Sequence, residues 1–285
     1  MTARFLTKGR AAGRQPSDSP GADAARLATA RSLFVTGGIG DVIALSSFRD
    51  LPSDLETIYY ATPKRAELET YLSLLCDPQV SHVSVDDRFE RRFAWYSLSE
   101  FERITTRRLD AADWSIAAQF PNIAANDFLG MPWLDHPLAD VSRFALPERY
   151  AVLAPFSADK RDQNRDLSHH EQQAAVSLAA CHGLPIYQIH QGPELPIAAH
   201  WLRNLSNQTN ILESMAITLG ASLFIGIDSA MSVVASKVLP ADRLCIKTHN
   251  EHCRRWAEIY FAPHTSFEFL TADPTPRMES LQWTE

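Results

Sequence analysis

The turn "TGGIGD", residues 36–41, sets three glycines close before an acid. Glycines at Gly38 and Gly40 allow a tight turn and close approach of a ligand to the backbone. A helix opening there would aim its first N–H groups at the turn, which favours an anion. Asp41 is itself an anion, so its place needs a reason. As a helix cap it contributes about 1 kcal/mol. As a general base on a strand-end loop, it would take the proton of a substrate hydroxyl. The spacing is not the GxGxxG of dinucleotide sites, and the GK[ST] of a triphosphate loop is absent.

Two later stretches carry the complementary charge. "APFSADKRDQNRDLS", residues 154–168, follows an apolar strand and brings Lys160, Arg161 and Arg165 to a strand-to-helix loop. Cations there can bind a pyrophosphate or a departing diphosphate. The plainer alternative is a solvated charged loop with Ser168 as a helix N-cap. "NILESMAITLGASLFIGIDSAMSVVASKVL", residues 210–239, places Glu213 on a helix, then Asp228, Ser229 and Ala230 where a strand ends and a new helix begins. Such a turn forms an anion seat, and Asp228 again has capping as its alternative. His190 and His249 are the nearby acid–base candidates and read as ordinary strand-end histidines. "CIKTHNEHCRRW" holds Cys245, His249, His252 and Cys253, but the spacing fits no metal template, so no metal is expected.

The elements that must position these residues alternate. "SLFV" and "ETIYYAT" read as strands, with "DVIALSSFRDL" and "KRAELETYLSLL" as helices after them. "VSHVSV" and "WSIAAQF" are further strands. "HPLADVSRFALPER" reads as a linker, after which the alternation restarts. "YAVLAPF", "PIYQIHQ", "LFIGI", "RLCIK" and "FEFLT" are strands. "HHEQQAAVSLAACHG", "ELPIAAHWLRNL", "LESMAITLGA" and "MSVVASKVL" are helices. Strands alternating with helices imply parallel βαβ units, here in two α/β halves. We expect a tail over residues 1–30, one half over 31–147 and a second over 148–285. Ligands of such sheets bind at the carboxyl ends of the strands, and here also in the cleft between halves.

With 285 residues and 45% hydrophobic content, the chain can bury a sizeable core. A net charge of −7 argues against a general nucleic-acid binder, which needs a basic surface. Four scattered cysteines without a CxxC pair argue against a disulfide framework. No apolar run approaches the ~20 residues of a membrane span, and no apolar signal core opens the chain. A cytoplasmic location is the expectation. The stretch 88–109 mixes arginine with aromatic residues. It reads first as a helical pair with its aromatics in the core; an acceptor site or peripheral contact with an anionic membrane is the alternative.

Together these motifs resemble the ADP-heptose:lipopolysaccharide heptosyltransferase family, which has the GT-B glycosyltransferase fold. That family opens with a strand and "GxGD", matched by "GGIGD". Its second half runs through a lysine loop, "GGPxE", "S-L-x-E" and "lfvgxDSGxxHlAaa". The counterparts here are "APFSADKR", "HQGPE" with Gln191, "NILES" and "LFIGIDSAMSVVAS". Ala230 stands at the family's glycine and Val233 at its histidine.

The resemblance implies two Rossmann-like parallel-sheet domains facing a cleft. It implies inverting, metal-independent transfer of a sugar from a nucleotide-sugar donor, with no separate cofactor. The acceptor would be a glycan, a lipid-linked saccharide, a protein or a small molecule. Asp41 would be the base and Lys160 the group stabilising the departing diphosphate. Glu213 would meet the ribose. Asp228, Ser229 and Ala230 would hold the donor, with Gly38, Gly40, Arg161 and Gln191 beside it. The alternatives are a sugar-nucleotide epimerase or hydrolase, and a binding or scaffold protein without turnover, which Ala230 and Val233 favour.

Overall fold

The computed structural model describes residues 24–25, 27, 32–36, 39–51, 55–61, 81–84, 122–130, 138–157, 165–190, 201–248 and 251–261. The helix read over 64–75, the stretch 88–109 and the strands read over 114–120 and 267–271 lie outside these residues.

The first half opens with β1 (Ser32–Thr36), followed by α1 (Ile39–Ser46), β2 (Thr57–Ala61) and β3 (Ser81–Ser84). The three strands form a parallel sheet in the order β1-β2-β3, with Phe34 opposite Tyr59 and Tyr59 opposite Val83. The second half runs β4 (Ala151–Ala154), α2 (His169–Cys181), β5 (Ile186–Gln188), β6 (Leu202–Asn204), α3 (Ile211–Leu219), β7 (Leu223–Ile227), α4 (Ala230–Ser236), β8 (Leu244–Lys247) and α5 (Glu251–Tyr260). Its strands are all parallel, in the order β6-β5-β4-β7-β8. The chain is therefore an α/β protein built on two parallel sheets.

Two elements differ from the sequence reading: α5 is a helix where none was read, and a strand stands where a helix was expected to end. "HWLRNL" was expected to end a helix, yet Leu202–Asn204 is an edge strand paired with Ile186–Gln188. Three residues are too few to display a period of two, and the vacant edge of β5 decides the outcome.

The inner strands β4 and β7 of the second sheet are buried on both faces, which is why they read as unbroken apolar runs. Ala151, Leu153, Ile186, Leu223, Ile225, Ile227 and Cys245 pack with Ala175, Val176 and Ala179 of α2. The alternate residues Val152, Ala154, Tyr187, Phe224, Leu244 and Ile246 face the other way. There they join Met215 and Ile217 of α3 and Val233 and Val234 of α4 in a cluster that continues into Leu33, Ile43 and Phe48 of the first half. Leu27, from the stretch read as a tail, is fully buried in the same cluster.

The helices start where their caps dictate. Ser168 and Glu171 exchange side-chain and backbone hydrogen bonds at the head of α2, and Asn210 and Glu213 do the same at α3. The segment between halves is anchored rather than loose. Phe144 is buried, Arg203 donates to its carbonyl at 2.8 Å, and Ala145 turns the chain with φ 48°.

A second seam closes the halves through aromatic rings. Phe128 meets Phe48 and Tyr260 edge-on, each with centroids 5.5 Å apart. Lys237, at the end of α4, reaches this seam. Its ammonium lies 5.7 Å above the Phe128 ring and donates to the Tyr260 carbonyl at 2.6 Å. Burial pushes its pKa down to about 7. Below pH 7 the lysine is charged whether folded or unfolded, and the folded form carries the burial penalty. From about pH 7 to about 10.5 the folded form is neutral while the unfolded form keeps its proton, so rising pH stabilises the fold. We expect Lys237→Met to gain stability relative to wild type below pH 7 and to lose that gain toward pH 10, the lost hydrogen bond to Tyr260 being a constant offset. Chemical denaturation of both proteins across pH 6–10 checks this; a difference that does not vary with pH would contradict it.

Candidate functional site

The second sheet reverses its strand order between β4 and β7: β5 and β6 lie on one side of β4, and β7 and β8 on the other. The carboxyl ends of the two strands at such a reversal open a crevice, because the connections leaving them diverge to opposite faces. Gly226, paired with Ala154, keeps the two strands close there. A Cβ at Gly226 would come within 2.8 Å of the Ala154 carbonyl oxygen.

Two sequence candidates, Arg165 and Asp228, meet at this crevice. The Arg165 guanidinium donates to the Asp228 carbonyl at 2.9 Å and to its carboxylate at 3.3 Å. Their side chains are only 26% and 16% exposed. Among the described residues, the Arg165 Nε and the neighbouring Ser229 Oγ are buried with no hydrogen-bond partner. A buried polar atom left unpaired costs about 1–3 kcal/mol. Gln172 Oε1 and His190 Nδ1 share that state, but Arg165 and Ser229 are the two joined to Asp228, one by contact and one in sequence, and their free polar atoms are ones a polar ligand can satisfy.

Arg165 does not stand alone. Asp166 accepts from the Ser157 N–H at 2.7 Å, and Leu167 N–H donates to the Pro155 carbonyl at 2.9 Å. Lys247, the last residue of β8, pairs with Glu171 at 2.5 Å and donates to the Asp166 carbonyl at 3.2 Å. Burial raises the Glu171 pKa, but hydrogen bonds from Lys247 and Ser168 outweigh it and hold the carboxyl below its ordinary value. Glu171 is therefore a carboxylate at neutral pH, and its pair with Lys247 is ionic.

From the first half, α1 delivers the acid. The sequence placed Asp41 on a turn; it lies within the first helical turn, because α1 begins at Ile39. Gly40, just before it, packs on the N-terminus of α4. A methyl at Gly40 would stand 3.4 Å from Ala230 Cα, 3.5 Å from its N and 3.9 Å from its methyl. Thus the structure brings Gly40 beside Ala230, and with it the two turns that carry Asp41 and Ser229. Val233 lies one turn further on, buried at 3% exposure in the shared core.

Glu213 is held by other partners. Arg143, from the segment between halves, grips its carboxylate at 2.9 and 3.0 Å and stacks on Phe144. The same carboxylate accepts from its own cap at Asn210, at 2.9 Å. Sequence reading passed over Arg143, which lies far from Glu213 along the chain, and left Lys247 unassigned. His190 sits at the end of β5 with Ser206 Oγ 2.9 Å from its Nε2 and Phe156 edge-on to its ring. Gly38, Lys160, Arg161, Gln191 and His249 lie outside the described residues. Among those described, no group of three or more His, Cys, Asp or Glu is placed to hold a metal ion, and no helix is long and apolar enough to cross a membrane. Burial pushes the Cys245 thiol up to about 11, which leaves it unreactive near neutral pH.

No protein-family model matches the chain, and no curated protein matches it. Solved structures similar to it include a glycosyl transferase family 9 protein from Veillonella parvula DSM 2008, at 13% identity and a TM-score of 0.45, covering 76% of this chain and 79% of that one. An E. coli ADP-heptose lps heptosyltransferase II is similar at 14% identity and a TM-score of 0.45, over 76% of this chain and 84% of that one. The E. coli heptosyltransferase WaaC with ADP is similar at 14% identity and a TM-score of 0.49, over 83% of this chain and 92% of that one. The last two carry the name of the family whose motifs the sequence resembles.

The Gly40 contact sets a size limit that can be measured. Gly40→Ala adds a methyl at ordinary contact distance and raises helix propensity by about 1 kcal/mol, so its melting temperature should match or exceed wild type. Gly40→Leu drives a branched side chain into Ala230 and should cost about 1–3 kcal/mol. Equal melting temperatures for the two variants would show that α1 and α4 do not pack this closely.

Proposed function

We propose that this chain is a glycosyltransferase of GT-B type, moving a sugar from a nucleotide-sugar donor to an acceptor hydroxyl with inversion. The observation that carries the reading is the pair of unpartnered buried atoms, Arg165 Nε and Ser229 Oγ, at the β4/β7 reversal. Their crevice adjoins the helical turn that bears Asp41 from the other half. The ordered series of heptosyltransferase-like motifs supports it as well. The donor diphosphate lies against the second half, where Arg165 and Ser229 donate to its oxygens. Lys160 and Arg161, which precede Arg165 in sequence, add positive charge. Glu213 takes the ribose through the acceptor capacity that Arg143 and Asn210 leave, and Gln191 joins the donor side.

The reaction follows from opposed charge. The acceptor oxygen attacks the anomeric carbon from the face away from the diphosphate. Its proton passes to the Asp41 carboxylate as the new C–O bond forms. The bond from the anomeric carbon to the phosphate oxygen breaks, and its electron pair leaves with the nucleoside diphosphate. Arg165 and the loop cations balance that charge, which is electrostatic stabilisation without a metal. A glycan, a lipid-linked saccharide, a protein or a small molecule is the acceptor.

A second reading, a nucleotide-sugar-binding protein without turnover, is favoured by one contact. Ala230, which packs beside Gly40, carries a methyl where the resembling family has a glycine. Donor binding with no transfer by the wild-type chain to any acceptor class would select it.

Two variants test the mechanism. Arg165→Leu should weaken ADP or UDP binding by about 10- to 100-fold, the worth of a charge-assisted hydrogen bond. Arg165→Lys, which keeps the charge, should recover part of it. Unchanged affinity in Arg165→Leu, measured by calorimetry, would move the donor site elsewhere. Asp41→Asn caps a helix as well as aspartate does but is not basic. Donor binding should survive while single-turnover transfer slows by roughly 10²–10⁴. A stable Asp41→Asn protein with wild-type transfer would take Asp41 out of the chemistry.

A further inference from the structure

The carboxyl end of β7 is spanned by residues 165–168, and that span has anchors on both neighbouring strands. On the β4 side, Ser157 N–H holds the Asp166 carboxylate and the Pro155 carbonyl holds Leu167 N–H. On the β8 side the anchor is Lys247, through the Asp166 carbonyl at 3.2 Å and Glu171 at 2.5 Å. Glu171 in turn accepts from the Ser168 N–H at 2.7 Å. Beneath the span, Asp228 is tied to the same lysine residue through its own N–H, which donates to the Lys247 carbonyl at 3.0 Å. Arg165 hangs from the span and reaches down to Asp228.

Lys247 thus fixes both partners of the Arg165/Asp228 contact: one by its side chain, the other by its backbone. Its ammonium is itself 17% exposed and paired, and so is not offered to an incoming anion. It belongs to "CIKTHNEH", a stretch whose residue types suggested chemistry but to which no role has been given. We infer that Lys247 is a positioning residue, a strut from β8 that holds the 165–168 span so that Arg165 lies over the switch-point crevice. What Arg165 binds there rests on the glycosyltransferase reading; that Lys247 places it does not.

The direct observable is the Arg165 Nε–H, which gives its own resonance in a proton–nitrogen spectrum and whose solvent exchange reports how firmly the guanidinium is held. In Lys247→Met that exchange should quicken by at least about tenfold, as losing one charge-assisted hydrogen bond implies. Because Lys247→Met leaves Glu171 buried without a counter-charge, the double variant Lys247→Met with Glu171→Gln is measured beside it. It keeps a capping side chain and should show the same quickening with the bulk of the amide spectrum in place. Lys247→Arg keeps a cationic donor and should stay close to wild type. Binding of ADP and of UDP to the same proteins is the second readout. Affinity should fall by about tenfold in both methionine variants and recover in Lys247→Arg.

Unchanged Arg165 Nε exchange in the double variant overturns the inference. Faster exchange in the methionine variants, from a wild type that binds neither diphosphate, leaves Lys247 as the strut and removes the nucleotide-sugar reading.

Discussion

The contact on which the rest depends is the packing of α1 on α4. Each helix begins just after a strand of its own half ends, α1 after β1 and α4 after β7, so their first turns carry the residues with chemical potential. Gly40 has no side chain and Ala230 has only a methyl, so the two helices meet at their N-terminal ends. One apolar cluster then runs from Leu33 and Ile43 through Val233 and Val234 to Phe224. Burying such side chains contributes about 1.5–3 kcal/mol each, which is why two sheets from distant parts of the chain share one interior. The placement of Asp41 opposite Ser229 follows from this packing. It needs no direct bond between the two residues.

The charged groups of the second half obey a different constraint. Arg165, Asp166, Glu171, Asp228 and Lys247 crowd the carboxyl end of β4, β7 and β8, where low exposure makes every unpaired charge costly. Lys247 and Glu171 solve this by pairing directly. Arg165 solves it only in part: its terminal nitrogen meets Asp228 while its Nε is left without a partner. Such a half-satisfied cation, with the Ser229 hydroxyl also unpaired, is poor for stability alone. It is the arrangement expected where binding, not folding, completes the hydrogen bonds.

Much of the fold was legible because the inner strands of the second sheet are covered on both faces. Residues 151–154, 223–227 and 244–246 are unbroken apolar runs, and Ser168 was readable as the cap of the helix that follows it. The edge strand Leu202–Asn204 was not legible, since pairing with β5 and not local pattern creates it. Glu213 stood out in sequence, but its grip by Arg143 joins residues 70 apart, which no local motif announces. Lys237 was invisible for a related reason: a lysine after an apolar helix reads as a solvated end, and only the closing of α5 over Phe128 buries it. Asp41 was legible as a residue of interest, though the turn proved to be already helical at Ile39.

The departures from the heptosyltransferase-like pattern at Ala230 and Val233 acquire a physical sense from the same packing. Val233 is buried in the cluster that joins the halves, so its side chain serves the interior and is not presented to the crevice. A histidine in that environment would need a partner for each ring nitrogen or would lie buried and unsatisfied. At residue 230 a glycine would remove one methyl from the α1/α4 crossing, where even a methyl added at Gly40 would come no closer to Ala230 than 3.4 Å. The two residues form a consistent pair: small but not absent at the crossing, apolar behind it. They trade a more open approach between the turns for a tighter junction of the halves. Arg165, Asp228 and Ser229, the polar residues at the crevice, do not belong to that junction.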